Sequence, residues 1–224
     1  MLELYIGSKN YSSWSLRPWL AMTHFDIPFK EIHLTLFSAE FARVIATASP
    51  ARRVPVLVED GFAVWDSLAI VEYLAERFPD IPLWPRDRLA RARARSICAE
   101  MHSGFGQLRS NMPMNLEADL TGRGWNVAVQ KDIDRIVSMW SELLDAHGNR
   151  FLFGEFSAAD AYFAPVCSRF LTYRPDLPAR VLAYAQGVVA LPAMQRWIAE
   201  ARAAREFIPE DEPYRAPPPG ASER

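Results

Sequence analysis

Three prolines within seven residues, Pro79, Pro82 and Pro85, divide this chain into unlike parts. Proline has no N–H to donate and clashes with the preceding helical turn, so no helix or central strand runs through that segment. Before it, short apolar runs alternate with helical patterns. Beyond it, the periodicity is helical almost to the end. Any fold must therefore join a mixed α/β unit to an all-helical one.

In the first part, Leu2-Glu3-Leu4-Tyr5-Ile6 alternates as a strand. A helical pattern follows to about Phe25, with Leu16, Trp19, Leu20 and Thr23 on one face, and Asp26-Ile27-Pro28 ends it. Pro18 belongs in a first turn, which sets the helix start near Trp14 or Ser15 and leaves Ser12 and Ser13 just outside. Phe29 to Leu34 reads as a second strand, parallel to the first because a helix connects them. A short helix is expected within Phe37–Ala48. Val54 to Trp65 then holds two apolar runs across Asp60-Gly61, the signature of a type I′ hairpin. Asp66-Ser67 caps a helix carrying Leu68, Val71, Leu74 and Phe78. The order βαβαββα is that of a thioredoxin-like domain, in which Pro55, heading its strand, would follow a cis bond.

The expected organisation is residues 1–78 as this domain, 79–86 as a linker, 87–214 as an all-helical domain, and 215–224 as a disordered tail. Helices are expected at about Asp87–Asn111, Val127–Ala146, Ala158–Leu171, Ala179–Val189 and Ala193–Ala203. Ser157-Ala158-Ala159-Asp160 has the spacing of a capping box, and both residues are assigned to folding.

A net charge of −2 gives no electrostatic case for nucleic acid or an anionic membrane. No apolar run is long enough to span a bilayer, and Glu3, Lys9 and Asn10 interrupt any signal-peptide core. Cys98 and Cys167 form no pairing or metal pattern, which suits a reducing compartment and a cytoplasmic location.

Alone, Ser12-Ser13-Trp14-Ser15 is an ordinary helix cap or an anion-holding helix N-terminus. Taken in order with Val54-Pro55, Asp66-Ser67-Leu68-Ala69-Ile70, Ser157-Ala158-Ala159-Asp160 and the helical second half, it resembles the cytosolic glutathione transferases along nearly the whole chain. The Ser-Ser-x-Ser-x-Arg arrangement is most similar to the serine-type zeta class, which includes maleylacetoacetate isomerases. Trp14 stands where that class has cysteine, and the Ile6–Tyr11 loop is longer. The stretch Asn111–Asn115 resembles a bacterial subgroup.

The resemblance implies glutathione as co-substrate, no metal, and a homodimer. It implies thiolate stabilisation by Ser12, the first choice, or Ser13, with Tyr11 as an alternative and Tyr5 as strand packing. Asp66 and Ser67 would meet the γ-glutamyl end, the Val54 backbone before Pro55 the cysteinyl amide, and Arg52 or Arg53 the glycyl carboxylate. Trp14, Phe37, His102, Phe105, Arg109, Met112 and Asn115 are candidates by position to line the electrophile's pocket. The expected reaction is transfer of the glutathione thiolate to a small electrophile. The alternatives are glutathione-dependent cis–trans isomerisation and a non-catalytic glutathione- or partner-binding module.

Overall fold

The computed structural model describes residues 1–148 and 150–217. Strand β1 (Leu2–Ile6) lies inside a four-stranded sheet of order β2-β1-β3-β4. It pairs in parallel with β2 (Lys30–His33) and antiparallel with β3 (Val56–Glu59), which pairs with β4 (Phe62–Trp65). Asp60 and Gly61 both take positive φ, 49° and 85°, as a type I′ turn requires. The register sets Tyr5 beside Val56 and Val56 beside Trp65. The end of β1, the start of β3 and the end of β4 therefore meet at one edge, and the Val54–Pro55 bond there is cis.

Helix α1 (Ser13–His24) begins one residue earlier than Pro18 suggests, so proline falls in its second turn. The helix is buried on nearly all sides from Ser15 to Met22, wedged between α3 (Ser67–Arg77) and α7 (Ala158–Tyr173). Tertiary burial of Leu16, Trp19 and Leu20 offsets the missing proline hydrogen bond. Helix α2 (Ala39–Ala48) follows a Ser38 cap and buries Ile45.

The second half is helical, as expected, with one correction. The pattern Asp87–Asn111 is two helices, α4 (Arg88–Ser103) and α5 (Gly106–Asn111). Gly104 closes α4 by donating to the Glu100 carbonyl, and a Cβ at that position would lie 2.8 Å from the same oxygen. Phe105, at φ 54°, then turns the chain into α5. Helix α6 (Val127–His147) is followed by α7, whose sides are almost wholly buried, then α8 (Ala179–Val189) and α9 (Pro192–Ala204). The Ser157–Asp160 capping box forms as the spacing predicts, and Asp160 also accepts from Leu152 N–H and Tyr184 O–H.

The loop between β1 and α1 is tied to distant chain at each step. Gly7 is small enough to pass Leu36 and Val54, where a Cβ would fall 2.6 Å and 3.1 Å from their side chains. The Lys9 ammonium is buried between Glu31 and Glu200, 5.2 Å from the ring centres of Trp19 and Trp197. Asn10 accepts from Leu116 N–H at 2.6 Å. Tyr11 donates to Glu212, which also takes Asn115 Nδ2 and pairs with Arg215. The tail expected to be disordered from Arg215 is thus held at its start by Glu212 and Glu117. Residues 218–224 of that expectation lie outside the described residues.

Candidate functional site

The two serines before α1 have different duties. Ser12 is the N-cap: its Oγ accepts from Ser15 N–H at 3.4 Å and donates to Ser15 Oγ at 2.7 Å. Ser15 Oγ accepts in turn from Gly7 N–H at 3.1 Å. The single Ser12 proton is therefore used inside the fold. Ser13 is the first residue of α1, partly exposed, and its hydroxyl has no side-chain partner among the described residues. Tyr11 faces the C-terminal segment, donating its one proton to Glu212 at 2.7 Å with the Glu206 carbonyl 3.1 Å from the same oxygen. Burial, then the Glu212 carboxylate, pushes its phenol above the ordinary value, so it stays protonated.

Asp66 caps α3 from a positive φ of 75° by accepting from Leu68 N–H at 2.9 Å. Its other oxygen lies 3.2 Å from His102 Nε2, across from the second half of the chain. His102 Nδ1 is 2.7 Å from the Tyr162 hydroxyl, which is 3.0 Å from Ser67 Oγ. Asp66, His102, Tyr162 and Ser67 thus form one hydrogen-bonded chain joining α3, α4 and α7.

Arg17 is fully buried, its guanidinium 4.0 Å from the Trp14 ring centre and 4.2 Å from that of Tyr162. Its Nε donates to the Tyr162 carbonyl at 3.2 Å, while Nη1 has no partner among the described residues. Burial lowers its pKa to about 10, which leaves it a cation at neutral pH. Trp14 also meets the edge of His102, at 5.1 Å between ring centres, and Arg109 stacks 5.1 Å from it.

The structure gathers Trp14, Asp66, Ser67, His102 and Arg109 into this cluster. Arg52 and Arg53 are exposed, with no ion pair among the described residues, and precede the cis Val54–Pro55 bond. Phe37 is 64% exposed in the turn before α2. Three expected pocket residues, like Ser67 of the cluster, are buried. Phe105 and Met112 pack into the core, and Met112 lends its carbonyl to Arg169. Asn115 is 1% exposed, its amide committed to Glu212 and the turn at Glu117 and Ala118.

In the sequence, Arg17 stands only as the last residue of the Ser-Ser-x-Ser-x-Arg arrangement, with no role of its own, and Tyr162 has none. Each leaves a signal: a charge amid the apolar run of α1, and a phenol two residues past the capping aspartate. Among the described residues, no group of three or more His, Cys, Asp or Glu is placed to hold a metal, and no helix is long and apolar enough to cross a membrane.

Family models for the glutathione S-transferase N-terminal and C-terminal domains match residues 11–77 and 89–200. A probable maleylacetoacetate isomerase of Caenorhabditis elegans is 32% identical over 176 residues, covering 78% of this chain and 81% of that protein. Glutathione S-transferase 1 of Dianthus caryophyllus is 30% identical, covering 73% and 75%. A Burkholderia glutathione transferase homologue, crystallised with bound glutathione, superimposes with a TM-score of 0.70 at 27% identity, over 91% of this chain and 98% of that one. Matched in both halves, and with these relatives, the chain belongs to the glutathione S-transferase family.

Proposed function

We propose that the protein binds glutathione, stabilises its thiolate with Ser13 at the N-terminus of α1, and adds it to a small electrophile. The observation that carries this reading is the contrast between the two serines. Ser12 spends its proton on Ser15, whereas Ser13 keeps one to donate. A free thiol of pKa ~8.5 is only a few per cent thiolate at pH 7. Lowering that value by two units requires about 2.7 kcal/mol. A hydrogen bond to the charged sulfur contributes roughly 1.5–3 kcal/mol and a helix end roughly 0.3–1, which together suffice.

For the rest of glutathione, Asp66 pairs the ammonium, and Ser67 with the free N–H groups of α3 takes the γ-glutamyl carboxylate. The Val54 backbone pairs with the cysteinyl unit, and Arg52 or Arg53 with the glycyl carboxylate. The electrophile lies against Trp14. Arg17 and Arg109 both stack on that ring, which favours an acidic electrophile.

The same arginines, with relatives named maleylacetoacetate isomerase, support a second reading. Here the thiolate adds to an activated carbon–carbon double bond, the resulting single bond rotates, and elimination returns the thiolate. Conjugation consumes glutathione, and isomerisation does not.

The reading includes a homodimer, supported by exposed Phe62 and Trp65 on edge strand β4 and by exposed Leu89 on α4. It also includes a cytoplasmic location, supported by two free buried thiols, Cys98 and Cys167.

Calorimetric titration with glutathione comes first, then turnover of acidic and neutral activated alkenes with glutathione consumption measured alongside. Absence of binding at millimolar glutathione ends both enzyme readings. Binding without turnover leaves a binding module, and isomerisation without consumption selects the second reading.

A further inference from the structure

We propose that His102 and Tyr162 are positioning residues that couple proton uptake to the binding of a carboxylate at Ser67. The inference rests on the glutathione reading for its ligand and extends it to how that end of the site responds to pH.

Tyr162 and Ser67 each carry one hydroxyl proton, and a neutral imidazole carries one N–H. Asp66 Oδ2, 3.2 Å from His102 Nε2, fixes that N–H on Nε2, so Nδ1 of the neutral ring accepts. At 2.7 Å, Tyr162 must then give its proton to Nδ1. The 3.0 Å contact with Ser67 can form only if Ser67 donates to Tyr162, turning its proton away from an incoming carboxylate.

In the imidazolium the polarity reverses. Nδ1–H donates to Tyr162, Tyr162 donates to Ser67 Oγ, and the Ser67 proton is released toward the ligand beside the N-terminus of α3. A carboxylate bound there favours the protonated ring, and by reciprocity the protonated ring favours the carboxylate. The proton comes from solvent to Nδ1, and no covalent bond changes.

The groups facing His102 carry both signs: Asp66 favours the imidazolium, and the Arg109 and Arg17 cations oppose it, which keeps the ring neutral until a carboxylate arrives. Asp66 approaches from the cap of α3 and Tyr162 from α7. Trp14 of α1 presents its ring, and Arg109 of α5 donates to the His102 carbonyl at 3.2 Å. Arg17 stacks on Tyr162 and Trp14. Among the described residues, Asp66 is the one carboxylate within ion-pair distance of the ring.

The test is calorimetry of S-methylglutathione, whose blocked thiol does not titrate, binding the full chain in buffers of different ionisation enthalpy between about pH 5 and 8. The wild type is expected to take up a fraction of a proton. Its affinity should fall as pH rises, by at most tenfold per pH unit for one proton. His102→Gln should remove both effects.

Tyr162→Phe keeps the histidine beside Asp66 but cuts the chain, and Ser67→Ala cuts it at its buried Ser67 end, beside the N-terminus of α3. Both should bind without proton uptake, with folding checked by thermal unfolding. Full uptake in either variant, or none in the wild type at any pH, overturns the proposal while leaving glutathione binding intact. Failure of the wild type to bind at all would instead remove the underlying reading.

Discussion

Ser12 and Ser15 share a hydrogen bond of 2.7 Å between their hydroxyl oxygens, and Ser15 in turn receives the N–H of Gly7. The bond makes Ser12 part of the helix cap and leaves Ser13 as the hydroxyl with a proton to give. Ser13→Ala should raise the pKa of bound glutathione by one to two units, the equivalent of the roughly 1.5–3 kcal/mol in a hydrogen bond to a charged group. Ser12→Ala should instead cost about 1 kcal/mol of stability through the lost cap. Thiolate absorbance against pH, alongside chemical denaturation, separates the two. A larger thiol shift in Ser12→Ala would return the chemistry to Ser12.

Tyr11→Phe should leave the thiol pKa unchanged. Its hydroxyl points to Glu212, a buried carboxylate also bound by Asn115 and Arg215. Losing that donor from a buried carboxylate should destabilise the fold by about 1–3 kcal/mol. Urea unfolding and the same absorbance titration check both halves of the prediction.

Local chemistry was readable in the sequence where a short stretch determines its own geometry. Asp60-Gly61 makes its turn, and Ser157 and Asp160 make their box, each depending on neighbours within a few residues. The break at Gly104 was hidden, because a helical apolar pattern continues on both sides of Gly104-Phe105-Gly106. What ends the helix there is close approach of backbone to backbone at Glu100, which periodicity does not express. The pairing of Asp66 with His102 and of Tyr162 with Ser67 was out of reach for a related reason. Each joins residues brought together only when the two halves of the chain pack, and neither partner's local sequence carries the distance. The partner of Asn115 was out of reach by distance along the chain, since Glu212 lies 97 residues further on.

Asp66→Ala removes a helix cap and a carboxylate at once. Asp66→Asn keeps an oxygen for the Leu68 N–H but discards the charge. If Asp66 pairs the ligand's ammonium, Asn should weaken glutathione binding by more than tenfold with a smaller loss of stability than Ala. Equal affinity of wild type and Asn variant, measured calorimetrically, would remove Asp66 from the site.

The buried Asp160 makes stability depend on pH in a direction opposite to most carboxylates. Burial raises its pKa from 3.8 to about 6 against the pull of its bonds to Leu152, Ser157 and Tyr184. The unfolded chain therefore ionises first. The contribution of Asp160 to stability is complete below its unfolded value and is lost as pH rises through about 6. A shift of this size corresponds to about 3 kcal/mol between pH 3 and pH 7. Asp160→Asn cannot ionise and accepts through one oxygen only, so it should be less stable than wild type throughout. The gap between them should nevertheless be widest at low pH and shrink by about that amount as pH rises to 7. Wild-type and Asn denaturation curves taken at pH 4, 5, 6 and 7 measure the gap directly. A gap that widens with pH would mean that the bonds to the carboxylate outweigh its burial, and that Asp160 is charged within the fold.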